Sequence, residues 1–277
     1  MSRKACYIFS SSPAQGAKNI QDNGSRFSVQ MNYPLHVPLG AQNATCEVIQ
    51  ANIWNTSPNI STSFNNDMFV AFDGKNMIRI QVEKGLYDIT TLVSQLEIQW
   101  NSYLAVDGKT TVSNSWASLF MISGNDSTQK VSIQYENTDS KINVYIDWTQ
   151  TTLRSILGFE TTSPVKPAVL KGSITAPYTA DFNNLNAYYV HSDLVGNGIP
   201  TNSTYGQTIS VIPVSSAPGN LIVFQGQYEN LFADCNNLVG SHNGRSTFSF
   251  WLTTEQNTPI DMNGEQWSFT ILFKWDV

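Results

Sequence analysis

Cysteine and charge are the two things this sequence has least of. Its three cysteines, Cys6, Cys46 and Cys235, are too few and too scattered for a disulfide framework or a C-x-x-C metal site, so they read as reduced, partly buried thiols. Charged side chains make up 13% of the 277 residues, with 15 Lys and Arg against 21 Asp and Glu, a net charge of −6. Specific nucleic-acid binding is therefore excluded, because it needs clustered cations to displace counterions from phosphates. Arg3 and Lys4 do not change that balance. No apolar run is long enough to cross a bilayer, so no membrane insertion is expected. The first ten residues lack the apolar core of a signal peptide, and the chain is expected to be made inside a cell without export. Histidine is scarce as well. His36, His191 and His242 lie far apart without a Cys, Asp or Glu at ligand spacing, so neither a metal nor another cofactor is expected.

Aromatic residues, at 12%, and abundant Asn, Ser and Thr point to a β-rich protein with a neutral polar surface. The end of the chain shows this best. Trp267, Phe269, Ile271, Phe273 and Trp275 fall at every second position, and Phe248, Phe250 and Leu252 repeat the period upstream. A period of two marks a strand buried on one face. The two runs read as a closing antiparallel hairpin, with the Asn263-Gly264 pair suited to the positive φ angles of a tight turn.

Residues 1–25 show little apolar periodicity and read as a flexible N-terminal arm, leaving 26–277 as one domain. Phe27, Val29 and Met31 alternate up to Pro34, which suits an edge strand or a strand end. The runs Met68–Phe72 and Met77–Val82 read as a hairpin around Asp73-Gly74, and Val131–Tyr135 with Ile142–Trp148 as another. Between them Asp88 stands as N-cap to an amphipathic helix with Ile89, Leu92, Val93, Leu96, Trp100 and Tyr103 on one face. Thr152–Phe159 reads as a helical turn stopped by Gly158, and residues 160–181 as a long connection. Further strands are expected over 186–195, 208–214 and 221–228. Antiparallel strands with long loops, lacking a βα rhythm, define the fold class: an all-β, single jelly-roll antiparallel β-sandwich with one amphipathic helix and a short helical turn.

Several landmarks recur in a known order: Gly85 and Tyr87 leading into the helix, Ile156-Leu-Gly-Phe159, Tyr188 to Val195, and the Asp261 to Gly264 turn before an aromatic strand. In that order they resemble, over residues 80–277, the penton or minor capsid proteins of the virophage, Polinton and adenovirus-like lineage of icosahedral DNA viruses. The resemblance implies a structural protein of the virion that forms homopentamers at fivefold vertices, among trimers of a major capsid protein. It leaves open a vertex fibre or host receptor as a further partner. Some members of that lineage carry an insertion between jelly-roll strands; residues 105–130 or 160–181 have room for a small one and not for a large domain. The arm and the 160–181 loop are expected to touch neighbouring capsid proteins.

No catalytic constellation emerges. His191-Ser192-Asp193 has the letters of a hydrolase triad, yet successive strand residues point to opposite faces, so Ser192 and Asp193 are expected to bond local backbone. An enzyme is not expected. The alternative is a carbohydrate- or receptor-binding β-sandwich using an exposed Trp54, Trp116, Trp148 or Trp251. Trp251 lies out of phase with the core-facing residues of its strand. With Asp261, Asn263 and Gly264 it forms the candidate subunit interface.

Overall fold

The alternation of apolar residues organises this computed structural model, which describes residues 2–35, 37–106, 115–136, 144–163, 172–183, 185–199, 206–226, 232–239 and 245–277. In chain order come β1 (Ser2–Ser10), β2 (Ala17–Gln21), β3 (Arg26–Leu35) and β4 (Gln42–Trp54). There follow β5 (Met68–Asp73), β6 (Met77–Gln81), α1 (Ile89–Val106), β7 (Phe120–Asn125), β8 (Lys130–Tyr135), β9 (Val144–Ile146), α2 (Arg154–Leu157) and β10 (Gly172–Thr175). The chain closes with β11 (Ala187–Ser192), β12 (Thr208–Pro213), β13 (Leu221–Gln225), β14 (Ala233–Asp234), β15 (Arg245–Thr253) and β16 (Ser268–Asp276). The chain divides into two compact units, Met1–Ser57 with Leu185–Val277, and Pro58–Asn184.

The first unit is a jelly roll. One sheet has the order β1-β16-β4-β13, with β14 also pairing β4, and the other has the order β12-β11-β15-β3-β2. The chain passes back and forth between the two sheets, which gives the interleaved Greek-key order of an eight-stranded jelly roll, with β2 and the short β14 as added strands. The inner faces meet in an aromatic core. Phe9 of β1 lies 4.7 Å from Phe250 of β15, and Phe250 lies 4.9 Å from Phe269 of β16. The inward period of the last strand holds: Trp267, Phe269, Ile271 and Phe273 are buried.

Two sequence expectations for this unit change. The segment read as a flexible arm over 1–25 is structured, because β1 pairs with β16 along its whole length from Ser2↔Asp276 to Ser10↔Ser268, and β2 pairs with β3. The terminal strands do not form a hairpin with each other: β15 lies in the sheet with β3 and β11, and β16 in the opposite sheet between β1 and β4. Pro34 sits near the end of β3, which fits the strand-end reading.

The second unit, inserted in sequence between β4 and β11, has its own core, so 26–277 is not one undivided jelly roll. It holds two three-stranded sheets, β6-β5-β9 and β10-β8-β7. The β5–β6 hairpin forms as its sequence suggests. The expected hairpin over 131–148 does not, since β8 pairs with β7 and β10 while β9 pairs with β5. Residues 172–175 of the expected long connection are β10, and 164–171 lie outside the described residues. Helix α1 is capped reciprocally, with the Thr91 amide donating to Asp88 Oδ1 at 2.7 Å and the Asp88 amide to Thr91 Oγ1 at 2.9 Å. Its buried Leu92, Leu96 and Trp100 face the core, where Trp100 meets Trp116 and Phe120 edge to face. α2 ends at Gly158, where a φ of 77° and the Tyr178 carbonyl packed against the Cβ position leave no room for a side chain. Phe159 then stacks on Trp148 at 4.2 Å.

Candidate functional site

Trp251 sits on β15 with its side chain on the outer side of the β12-β11-β15-β3-β2 sheet, as its phase against the buried Phe250 and Leu252 requires. Cross-strand pairing places Arg26 of β3 on one side of it and His191 of β11 on the other. The Arg26 guanidinium lies 4.9 Å from the indole centroid, and the His191 ring stacks at 5.5 Å and 16°. Both neighbours cover the indole, so it presents an edge, not a face, to solvent. Sugar-binding aromatic platforms need an open ring face. The arrangement therefore weighs against Trp251 as a carbohydrate platform.

His191 is held between two hydroxyls, with Nε2 2.7 Å from Thr253 Oγ1 and Nδ1 3.2 Å from Thr208 Oγ1. Burial without a carboxylate partner among these contacts pushes its pKa down to about 4, so the ring is neutral at ordinary pH. Beside it lies a depression of about 340 Å³ lined by Tyr189, Gln207, Trp251, Glu255 and Asn257. The triad letters are dispersed as the strand period requires. Ser192 Oγ donates to the Ser249 carbonyl at 3.0 Å, and Asp193 Oδ1 accepts from the Ser249 amide at 2.9 Å. Those bonds fix the end of β11.

Asp261, Asn263 and Gly264 are brought together in one tight turn. The Glu265 amide donates to the Met262 carbonyl at 2.9 Å, and Asn263 and Gly264 have φ of 53° and 82°, the type I′ pattern that the Asn-Gly pair favours. Asp261 Oδ1 accepts from the Asn263 amide at 2.8 Å, and Oδ2 from Asn23 Nδ2 at 3.1 Å. The Gly264 amide also donates to the Asn23 carbonyl at 3.1 Å, while Trp267 Nε1 donates to the Gly24 carbonyl at 3.0 Å. The carboxylate of Asp261 thus ties this turn to the 22–25 turn. Asn263 and Gly264 are exposed, Asp261 and Trp251 half-buried. The two parts of the candidate site share one support: the segment that carries Asn23 and Gly24 to the turn continues into Arg26 beneath Trp251. Arg26, His191 and Asn23 were missed in the sequence, because only strand pairing reveals them as neighbours of Trp251 and the turn.

His36 and His242 lie outside the described residues. Among the described residues, no cluster of His, Cys, Asp and Glu is placed to hold a metal ion, and no helix is long and apolar enough to cross a membrane.

No protein-family model matches this chain, and no curated protein matches it in sequence. Among solved structures, it is similar in fold to the mavirus penton protein, with a TM-score of 0.52 and 10% identity over 100% of both chains. A chain of the Sputnik virophage particle, at 13% identity, aligns over 98% of this chain and 97% of its own with a TM-score of 0.46.

Proposed function

We propose that this chain is a structural capsid protein that assembles as a homopentamer at the vertices of an icosahedral virus particle, among trimers of a major capsid protein. The observation that carries this reading is the likeness to the mavirus penton protein over the full length of both chains. A likeness spanning all of both chains covers the jelly roll and the inserted unit alike, not one common module. The landmark order in the sequence points the same way. The covered faces of Trp251 favour a subunit contact over the carbohydrate-binding alternative. We assign Trp251, Asp261, Asn263 and Gly264 to that contact: a half-buried aromatic edge beside a rigid, exposed turn, with Arg26 as the charge close to it.

Light scattering on the purified chain at high concentration tests this. The expected mass is that of a pentamer, reduced toward the monomer in a Trp251→Ala, Asn263→Asp double variant that remains folded. A chain that stays monomeric at every concentration, and does not bind major capsid trimers either, overturns the reading.

A further inference from the structure

We propose that Cys46 and Cys235 form a disulfide site inside the jelly roll, closed by exchange with a small-molecule disulfide such as oxidised glutathione. Both side chains are 1% exposed and belong to the same core cluster. Strand pairing brings them there from distant parts of the chain. Cys46 of β4 stands opposite Ala233 of β14, and two residues further on the Cys235 amide donates to the Ala44 carbonyl at 2.8 Å. Cys46 and Cys235 are therefore diagonal neighbours on the inner side of one strand pair, flanked by the small side chains of Ala44 and Ala233. The Cys235 side chain is close enough to the Cys46 thiol to act on its ionisation, and its Sγ donates to the Ala233 carbonyl at 3.8 Å.

Its neighbour Cys235 and burial both raise the Cys46 thiol above its ordinary pKa, so the closed fold keeps Cys46 protonated and slow to react. Opening must release a short element. β14 is two residues long. Besides the Cys235 amide bond to Ala44, it and the stretch after it are held by the Asp234 amide donating to the Asn197 carbonyl at 3.0 Å, Asn236 Oδ1 accepting from the Ala44 amide at 3.1 Å, Asn237 Nδ2 donating to the Leu194 carbonyl at 3.0 Å, a bridge between Val239 and Val37, and the buried Leu238. Lifting this stretch lets one cysteine ionise and attack a sulfur of the small disulfide, expelling one glutathione thiolate. On reclosing, the second cysteine, deprotonated, attacks the mixed disulfide and expels the other. The two cysteines lose two electrons and two protons, and the small disulfide is reduced to two thiols. Bond formation needs the two Cα atoms within about 7 Å, and a two-residue strand adjusts to that more readily than a long one. The bond would join a strand that precedes the inserted unit to one that follows it. The occasion for closure, release of a particle from a reducing cell into oxidising surroundings, rests on the capsid reading, but the bond itself does not.

The test uses the full chain carrying Cys6→Ser, which removes the exposed thiol, incubated with oxidised glutathione and then analysed by intact mass and peptide mapping. The expected result is a loss of two hydrogens, a linked peptide pair containing Cys46 and Cys235, no thiol titratable in denaturant, and a thermal midpoint raised by about 5–10 °C. Two titratable thiols remaining after exposure at a temperature that permits local opening would overturn the proposal, and so would a stable glutathione adduct on either cysteine. In a Cys235→Ala variant the loss of two hydrogens must vanish. Because the readout is covalent, it does not depend on whether the chain forms pentamers.

Discussion

His191 carries the sharpest consequence at the scale of single residues. In the unfolded chain its imidazole takes up a proton near the ordinary value of 6.5, and in the folded chain only near 4. Between those values the folded state binds fewer protons, so the stability tied to the neutral ring is fully present above 6.5 and is lost as pH falls through the window toward 4. The slope from this one group is at most about 1.4 kcal/mol per pH unit. Unfolding free energies measured by denaturant from pH 7 to 4 should show it, and a His191→Gln variant should flatten it. An unchanged slope would mean that the ring is not buried between Thr208 and Thr253 as described. Such a slope also has a consequence for Trp251, because protonation would place a second cation against the indole already covered by Arg26.

At the scale of elements, β1 decides between arm and strand. Phe9 is buried and lies 4.7 Å from Phe250 and 5.7 Å from Phe269. Phe9→Ala should therefore cost about 3–5 kcal/mol in equilibrium unfolding, as for other core aromatics. A change within about 0.5 kcal/mol would restore the arm. The reason β1 was illegible in the sequence is physical: Tyr7 and Phe9 alternate with Cys6 and Ile8, and Ile8 is 77% exposed, so apolar residues occupy both faces and the period of two disappears. Where the outer positions are polar, as with Ser268, Thr270 and Lys274 of β16, the buried face was legible. So was α1, because the Asp88 cap and the Leu92, Leu96, Trp100 stripe are local signals. Partner choice was not. Periodicity tells which face of a strand is buried and says nothing about which strand lies beside it, so β15 with β16 and β8 with β9 were joined wrongly. The candidate site shows the same division. The Asn263-Gly264 turn was readable from its own residues, whereas Arg26 and His191 come beside Trp251 through pairing with β3 and β11.

At the scale of the whole molecule, the inserted unit was hidden because its core, like that of the jelly roll, is built from alternating aromatics and aliphatics. Its independence is testable. Buried Asn59, at its start, donates to the carbonyls of Tyr87 at 2.7 Å and Phe182 at 2.9 Å and accepts from the Tyr87 amide at 2.9 Å, which holds the two ends of the unit together. Residues 58–184 expressed alone should unfold cooperatively, with a fluorescence transition from buried Trp100 and Trp148. Gradual, non-cooperative unfolding would show that this unit lacks a self-sufficient core. With β1 structured, the proposed contacts of the first 25 residues with neighbouring proteins fall to the outer side of the sheet edge that β1 forms, not to a loose tail. Assembly into pentamers is tested most directly by electron microscopy of the purified 277-residue chain. Ring-shaped particles whose class averages have fivefold rotational symmetry are expected; particles of another symmetry, or single subunits at concentrations that saturate assembly, would rule the pentamer out.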